Sequence, residues 1–357
     1  MKKNVLLVFI LTLITLSMLL PFVIASVGPL QVVTTIPLNK EPKCIVVNEE
    51  TNRVYVGIED GLVIIDGETD TIIAEILPET NVVALAVNPP TNRIYAAVSG
   101  EKIVVIDDIT NHVVGEIPER LYNQYEIAVN PVTNLVYIGE WRTIQGYYDC
   151  IVVYNGQTLT EITQVNIPGS DEHTFIERVG VAVNPETNRV YATWSGDNTL
   201  HVIDGDTNEI LETVSPSSFS RDVTINPLTN YVYVGNVVLD GETLEEVTAT
   251  YQGDLKAVDP VNNILYTTGY DILYALNGIT HGIVTSLELD IGVSLSPDAV
   301  AVNCETGNVY VVDNYETQIP VVIPEFPTWT SILLVLFVLT VTVFIYRGRL
   351  FKTPMRA

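Results

Sequence analysis

Between residues 31 and 323 the chain is built from short apolar runs, each closed by a polar turn, and no stretch shows helical periodicity. The runs LVIID, KIVVID, CIVVY, LHVID, NVVLD and ILYAL lack the polar alternation of a half-exposed strand. They suit strands buried on both faces. The segment 83–117 shows how they are grouped. Val83–Asn88 and Arg93–Val98 are predicted strands joined by the turn Pro89-Pro90-Thr91-Asn92, and Lys102–Asp107 is a third. A turn at Asp107-Asp108-Ile109-Thr110 leads to a fourth strand, His112–Ile117.

The first of these turns recurs. Asn-Pro-x-Thr-Asn followed by an aliphatic-Tyr pair starts at Asn88, Asn130, Asn184 and Asn226, with looser copies at Asn48, Asp259 and Asn303. The seven copies are 40, 42, 54, 42, 33 and 44 residues apart. Four strands per repeat at this period are the content of one propeller blade. The seventh repeat runs out after Ala299–Asn303, Asn308–Asp313 and Gln318–Ile323, one strand short. Gln31–Leu38 (QVVTTIPL) resembles the fourth-strand sequences and would complete it, removing the edges that an open array leaves exposed. The expectation is an all-β, seven-bladed propeller over 26–323, closed by its N-terminal strand.

The turn after the third strand repeats as Asp66-Gly67-Glu68-Thr69, Asp204-Gly205-Asp206-Thr207 and Asp240-Gly241-Glu242-Thr243, with Asn155-Gly156 and Asn277-Gly278 as variants. Asp-Gly and Asn-Gly between apolar strands are hairpin signals. Asp204-x-Asp206-x-Asn208 and Asp66-x-Glu68-x-Asp70 also open like calcium loops, but lack Gly at the sixth position and Glu at the twelfth, so they read as turns. Taken together, Asn-Pro-x-Thr-Asn, the slots Tyr55-Val-Gly, Tyr95-Ala-Ala, Tyr191-Ala-Thr, Tyr233-Val-Gly-Asn and Tyr266-Thr-Thr-Gly, and Val-Ile-Asp-Gly-x-Thr resemble the YVTN β-propeller repeat family. The resemblance covers 31–323 and implies a surface-layer-type protein of archaea.

The two ends carry a different chemistry. Residues 1–25 read as a secretory signal, with Lys2-Lys3 before the apolar Val5–Leu20 and Val23-Ile24-Ala25 at the cleavage site. Thr328–Tyr346 is apolar and uncharged, and nineteen helical residues would span about 28 Å, close to a bilayer core. Trp329 and Tyr346 stand at its edges and the tail 347–357 is basic, which places that tail in the cytoplasm and the rest outside. Residues 324–327 link the two parts. There Pro324, Glu325, Phe326 and Pro327, preceding an apolar helix and a basic tail, resemble the archaeal PEF-type sorting signal. That resemblance implies an archaeosortase as partner and replacement of the helix by a lipid.

Charge and composition narrow the functions. Between 26 and 346 stand 11 basic and 43 acidic residues, a net charge of −32. Such a surface cannot neutralise phosphates, which excludes nucleic acid as a partner, and it keeps like molecules apart. Cys44, Cys150 and Cys304 are odd in number, and Cys44 and Cys304 fall about 16 Å apart along equivalent strands, beyond disulfide reach. His112, His173, His201 and His281 occupy unmatched positions, and no metal-ligand spacing or nucleophile elbow occurs. No cofactor is expected.

The repeat breaks most in its third copy. Glu119–Gln124, Glu140–Asp149 and Gly169–Arg178 are expanded, and all three connections belong on one face of a propeller. They would gather Tyr122, Tyr125, Trp141, Tyr147, Tyr148, His173 and Phe175, with Trp194 in the next blade. Aromatic-rich loops on a rigid scaffold suit binding; the alternative is that these aromatics cover their own blade tops. The expected function is a non-catalytic binding or structural module on the cell surface, its partner another surface protein or an envelope polymer. The alternative is an extracytoplasmic lyase or redox enzyme using the central funnel.

Overall fold

The computed structural model describes residues 28–100, 102–118, 126–142, 148–169, 179–218, 222–250, 255–269, 272–289, 299–312 and 317–324. The expected leader 1–25, the motif residues Glu325, Phe326 and Pro327, the apolar segment 328–346 and the basic tail lie outside them. Among the described residues no helix is long and apolar enough to cross a membrane. Gln31–Ile323 forms one compact unit; residues 1–30 and 324–357 form a second, almost wholly outside the description.

The first unit is all β, with seven four-stranded antiparallel sheets. The innermost strands are Pro42–Asn48, Val82–Asn88, Ile127–Asn130, Val179–Asn184, Val223–Asn226, Leu255–Asp259 and Ala299–Val302. Each touches the next, and the seventh touches the first, so the blades close into a ring. Closure comes from the N-terminus, as the strand count predicts. Leu30–Pro37 joins the seventh sheet beside Gln318–Pro324, and the Leu38 N–H donates to the Thr317 carbonyl at 2.7 Å. Pro324, the first residue of the expected sorting motif, ends that strand.

The unalternating apolar runs are explained by where the core lies. It is a set of layers between blades. On the second strand of blade 1, Val54 and Val56 pack towards blade 7, while Tyr55 packs into blade 2 with Leu85, Ile94 and Val104. A strand covered on both sides has no solvent face, so polar alternation would bury polar groups. The repeated tyrosines Tyr55, Tyr95, Tyr137, Tyr191, Tyr233, Tyr266 and Tyr310 are all completely or almost completely buried at these joints.

Because each blade is a meander, the turns between strands one and two and between strands three and four share one face, the turn face. The other connections share the opposite face, the loop face. The third strand of blade 7 ends on the turn face, since Val322 pairs with Val309 just after the seventh copy of the repeated turn. The chain therefore leaves the ring on the turn face, away from the expanded connections.

Candidate functional site

The turn face shows what the repeated phrase does. Its second Asn is left-handed in every copy that has one: Asn52, Asn92, Asn134, Asn188, Asn230 and Asn263 have φ between 51° and 57°, and Gly307 takes the seventh place at φ 79°. Asn tolerates this region better than other side chains. Its first Asn does two things. The side-chain oxygen accepts backbone N–H groups within the turn, as Asn130 does from Val132 and Thr133 at 3.0 and 3.2 Å. The amide donates to the second Asn of the next blade, Asn88 to Asn134, Asn130 to Asn188 and Asn184 to Asn230 at 2.8 Å. Asn226 to Asn263 and, across 251 residues, Asn303 to Asn52 repeat the bond, whereas the joints of blade 1 with 2 and of blade 6 with 7 lack it.

Blade 2 departs from this in one detail. Asn88 is followed by Pro89-Pro90, and Pro90 has no N–H, so the buried Asn88 oxygen is left without a partner. The turn forms a single 3₁₀ segment instead, Pro89–Thr91.

The Asp-Gly turns interlock with the asparagines. The N–H groups of Gly67, Gly156, Gly205, Gly241 and Gly278 donate to the carbonyls of the left-handed Asn in the same blade at 2.8–2.9 Å. A Cβ on Gly205 would lie 2.4 Å from the Asn188 side-chain oxygen and 2.5 Å from its carbonyl, which is why glycine stands there. The preceding carboxylates are turn-formers. Asp66 Oδ1 accepts the Glu68 and Thr69 N–H groups at 2.9 Å, and Asp204 Oδ1 those of Asp206 and Thr207 at 2.9 and 2.8 Å. These bonds, that of residue 69 or 207 foremost, hold both carboxyls below the usual range. Asn155 and Asn277 make the same bonds without charge.

The joint between blades 1 and 2 was not legible in the sequence. Asp108 occupies the glycine slot and is fully buried. Its carboxylate accepts from Asn48 Nδ2, from Thr51 Oγ1 at 2.7 Å, from the Tyr55 hydroxyl and from Arg53 Nη1 at 3.3 Å. The missing glycine was the only signal. Burial, and then the bond to Asp108, push the Tyr55 phenol far up. In two other joints the residue two before the tyrosine is again Arg: Arg93 and Tyr95 both donate to the Gly156 carbonyl, Arg189 and Tyr191 both to the Gly241 carbonyl. Where that position is Leu135, Tyr231 or Ile264, the hydroxyls of Tyr137, Tyr233 and Tyr266 are buried without a partner. The arginine is thus a latch; four joints lack it, and in the seventh the Tyr310 hydroxyl donates to Asp70 Oδ1 and accepts from Asn308 Nδ2 instead, both at 3.3 Å.

Of the residues proposed for binding, Trp141, Tyr148 and Trp194 lie on strands at their loop-face ends. Tyr122, Tyr125, Tyr147, His173 and Phe175 lie outside the described residues. The stretch Glu140–Asp149, expected as an expanded loop, is strand at both of its described ends. Leu135–Arg142 and Tyr148–Asn155 are eight residues each, and Trp141 pairs with Asp149 and Arg142 with Tyr148. The hairpin carrying Trp141 and Tyr148 therefore runs two residue pairs beyond the six-residue second strands of neighbouring blades 2 and 4 on this face. Trp194 is fully buried; its indole N–H donates to Asp149 Oδ2 at 2.8 Å, and Gly196 packs against the ring. It pins blade 4 to the base of the hairpin. Glu140 and Asp149 are buried strand residues, which sequence reasoning had placed in the loop.

The remaining polar candidates are structural. His201 is buried between the hydroxyls of Thr199 and Thr213 at 3.0 and 2.9 Å, and His281 sits edge-on to Tyr231 with centroids 5.2 Å apart. Burial lowers the proton affinity of both. Among the described residues no three His, Cys, Asp or Glu side chains are placed to hold a metal ion. Cys44, Cys150 and Cys304 are free thiols.

No protein-family model and no curated protein sequence matches the chain. Among solved structures it is similar to the β-propeller domain of Cps50 (Swd1) from Myceliophteria thermophila, at a TM-score of 0.66 and 14% identity over 83% of this chain and 100% of that one. At that identity the likeness concerns the fold alone, and the chain is a β-propeller.

Proposed function

We propose that the chain is an exported, membrane- or lipid-anchored propeller whose loop face binds a surface protein or an envelope polymer without catalysis. One observation carries the reading: the turn face repeats the same bonds from blade to blade, whereas the hairpin of blade 3 breaks the repeat by projecting from the loop face with Trp141 and Tyr148 on it. A repeated bond pattern builds a scaffold, and binding concentrates where a rigid scaffold carries irregular aromatic segments.

The resemblance to the YVTN repeat family supports placement in an archaeal, surface-layer-type envelope. The resemblance of Pro324–Pro327 to a PEF-type signal supports processing by an archaeosortase. Protease treatment of intact cells tests the location: the ring should be released, and a pool resistant to shaving but freed by lysis refutes it. Trp141→Ala and Tyr147→Ala test the binding face: retention of the partner on cell envelopes should be lost with the thermal midpoint unchanged. If both variants lose stability instead, the hairpin is structural. Stoichiometric metal or a quinone chromophore in the purified protein would favour a redox enzyme in its place.

A further inference from the structure

The fourth strands form the rim of the ring, and each is the outer edge of its sheet. Every second residue of such a strand turns its N–H and C=O away from the sheet, a row that can pair with another chain unless a charge or a proline blocks it. Six of the seven rim strands carry an exposed glutamate: Glu75, Glu116, Glu161, Glu212, Glu246 and Glu288. The seventh, Leu30–Pro37, has none. It is also the longest, eight residues against four to six. Gln31–Thr35 is a run of exposed, uncharged side chains in which Val32 and Val33 stand 43 and 46% exposed. Closing the ring does not require such a strand, since blade 5 completes its sheet with Glu246–Ala249 alone. Nor is the neutrality confined to the edge. Blade 7 is built from AVAV, VYVV, QIPVVIP and LQVVTTIP, and among the seven sheets it is the one whose strands hold no charged residue. It stands in a segment, 26–346, of net charge −32.

We infer that Gln31–Thr35 pairs antiparallel with the same strand of a second copy of this chain, about a two-fold axis near Val33. Charge selects the occupant. Two copies repel over most of their surfaces, and at any other rim a like-for-like pairing would bring the glutamates of one copy beside those of the other, which destabilises a strand pair. At blade 7 the two edges meet through Gln, Val and Thr alone, and the β-branched side chains among them suit cross-strand contact. A two-fold pairing also uses up the edge, so the assembly stops at a dimer. This dimer goes beyond the binding role proposed for the blade 3 hairpin and does not depend on an anchor.

The test measures the mass of the purified full chain, in a non-ionic detergent, by sedimentation equilibrium over a range of concentrations. A monomer–dimer equilibrium is expected, and it should tighten as added sodium chloride screens the two acidic rings. Val33→Glu and Thr34→Glu each put on this edge the charge that the other rims carry. Each should raise the dissociation constant about tenfold or more, with the thermal midpoint unchanged because both side chains are exposed. A photoactivatable benzophenone amino acid in place of Val33, irradiated in the expressing cells, identifies the neighbour whether or not the glutamate variants fold: cross-links to 31–35 of a second copy are expected. A monomer at every concentration overturns the inference, as does a dimer that neither glutamate loosens while both variants keep their thermal midpoint. Cross-links from residue 33 to residues 1–29, to another rim or to a different chain, in place of 31–35, overturn it too.

Discussion

Replacing Asp108 by alanine and by glycine separates two accounts of the joint between blades 1 and 2. If the carboxylate is a keystone without substitute, both changes are equally harmful. The other blades argue otherwise. In Asp108→Ala a Cβ stays at a position where, in blade 4, one on Gly205 would lie 2.4 Å from the Asn188 side-chain oxygen, so Asn48 should not gain the acceptor used in the other joints. The Asn48 amide is then buried without a partner, Thr51 loses its acceptor and Arg53 its carboxylate, while the Tyr55 hydroxyl can turn to the residue 108 carbonyl. Stranding one partner of a buried ionic cluster costs about 3–5 kcal/mol, and each orphaned buried donor about 1–3 kcal/mol; because Arg53 keeps its bond to the residue 108 carbonyl and is a quarter exposed, the total should sit near the low end. In Asp108→Gly the joint becomes that of blades 2 and 4. Arg53 and Tyr55 share the residue 108 carbonyl, as Arg189 and Tyr191 share that of Gly241, and Asn48 turns to Asn92. What remains is the backbone entropy of a new glycine, roughly 0.5–1 kcal/mol. Equilibrium unfolding in urea, compared at constant m, measures both. A glycine variant as unstable as the alanine variant would refute the latch reasoning.

Pro90→Glu, the residue found at the equivalent positions of blades 1 and 4, supplies the N–H that the Asn88 oxygen lacks; relief of a buried orphan, ~1–3 kcal/mol, outweighs the ~0.4–1 kcal/mol lost with the proline, so the urea midpoint should rise. Gly205→Ala forces a Cβ to 2.4–2.5 Å from two Asn188 oxygens, and the thermal midpoint should fall, whereas Gly100→Ala, with nothing near its Cβ, should show only the strain of its positive φ. Stability should also fall below pH 6.5. Burial depresses the proton affinity of His201 and His281 below the free value of 6.5, so their contribution is full above 6.5 and is lost as pH falls through the folded pKa. Thermal midpoints at pH 7.5 and 5.5 measure this, and His201→Gln should reduce the difference.

The sequence by itself determined the strand count, the seven blades, the closing role of 31–38 and the repeated turns. Each of these depends on neighbours a few residues apart: an apolar run of strand length, an Asn able to take positive φ, a Gly where a carbonyl approaches. What the tertiary structure decided lies between blades, where partners stand 37–63 residues apart in the chain, or 251 where the ring closes. Asp108 reads as an irregular turn until Asn48, Thr51, Arg53 and Tyr55 surround it. The tyrosines of all seven repeats look alike, yet which hydroxyls are bonded depends on what the next blade offers: a carbonyl to Tyr95 and Tyr191, a carboxylate to Tyr55 and Tyr310. Trp194 looked like a surface aromatic and proved to be a buried pin, because the residue opposite it is Asp149. Local chemistry fixes a blade, but a blade's polar groups find their partners only when the next blade is beside it.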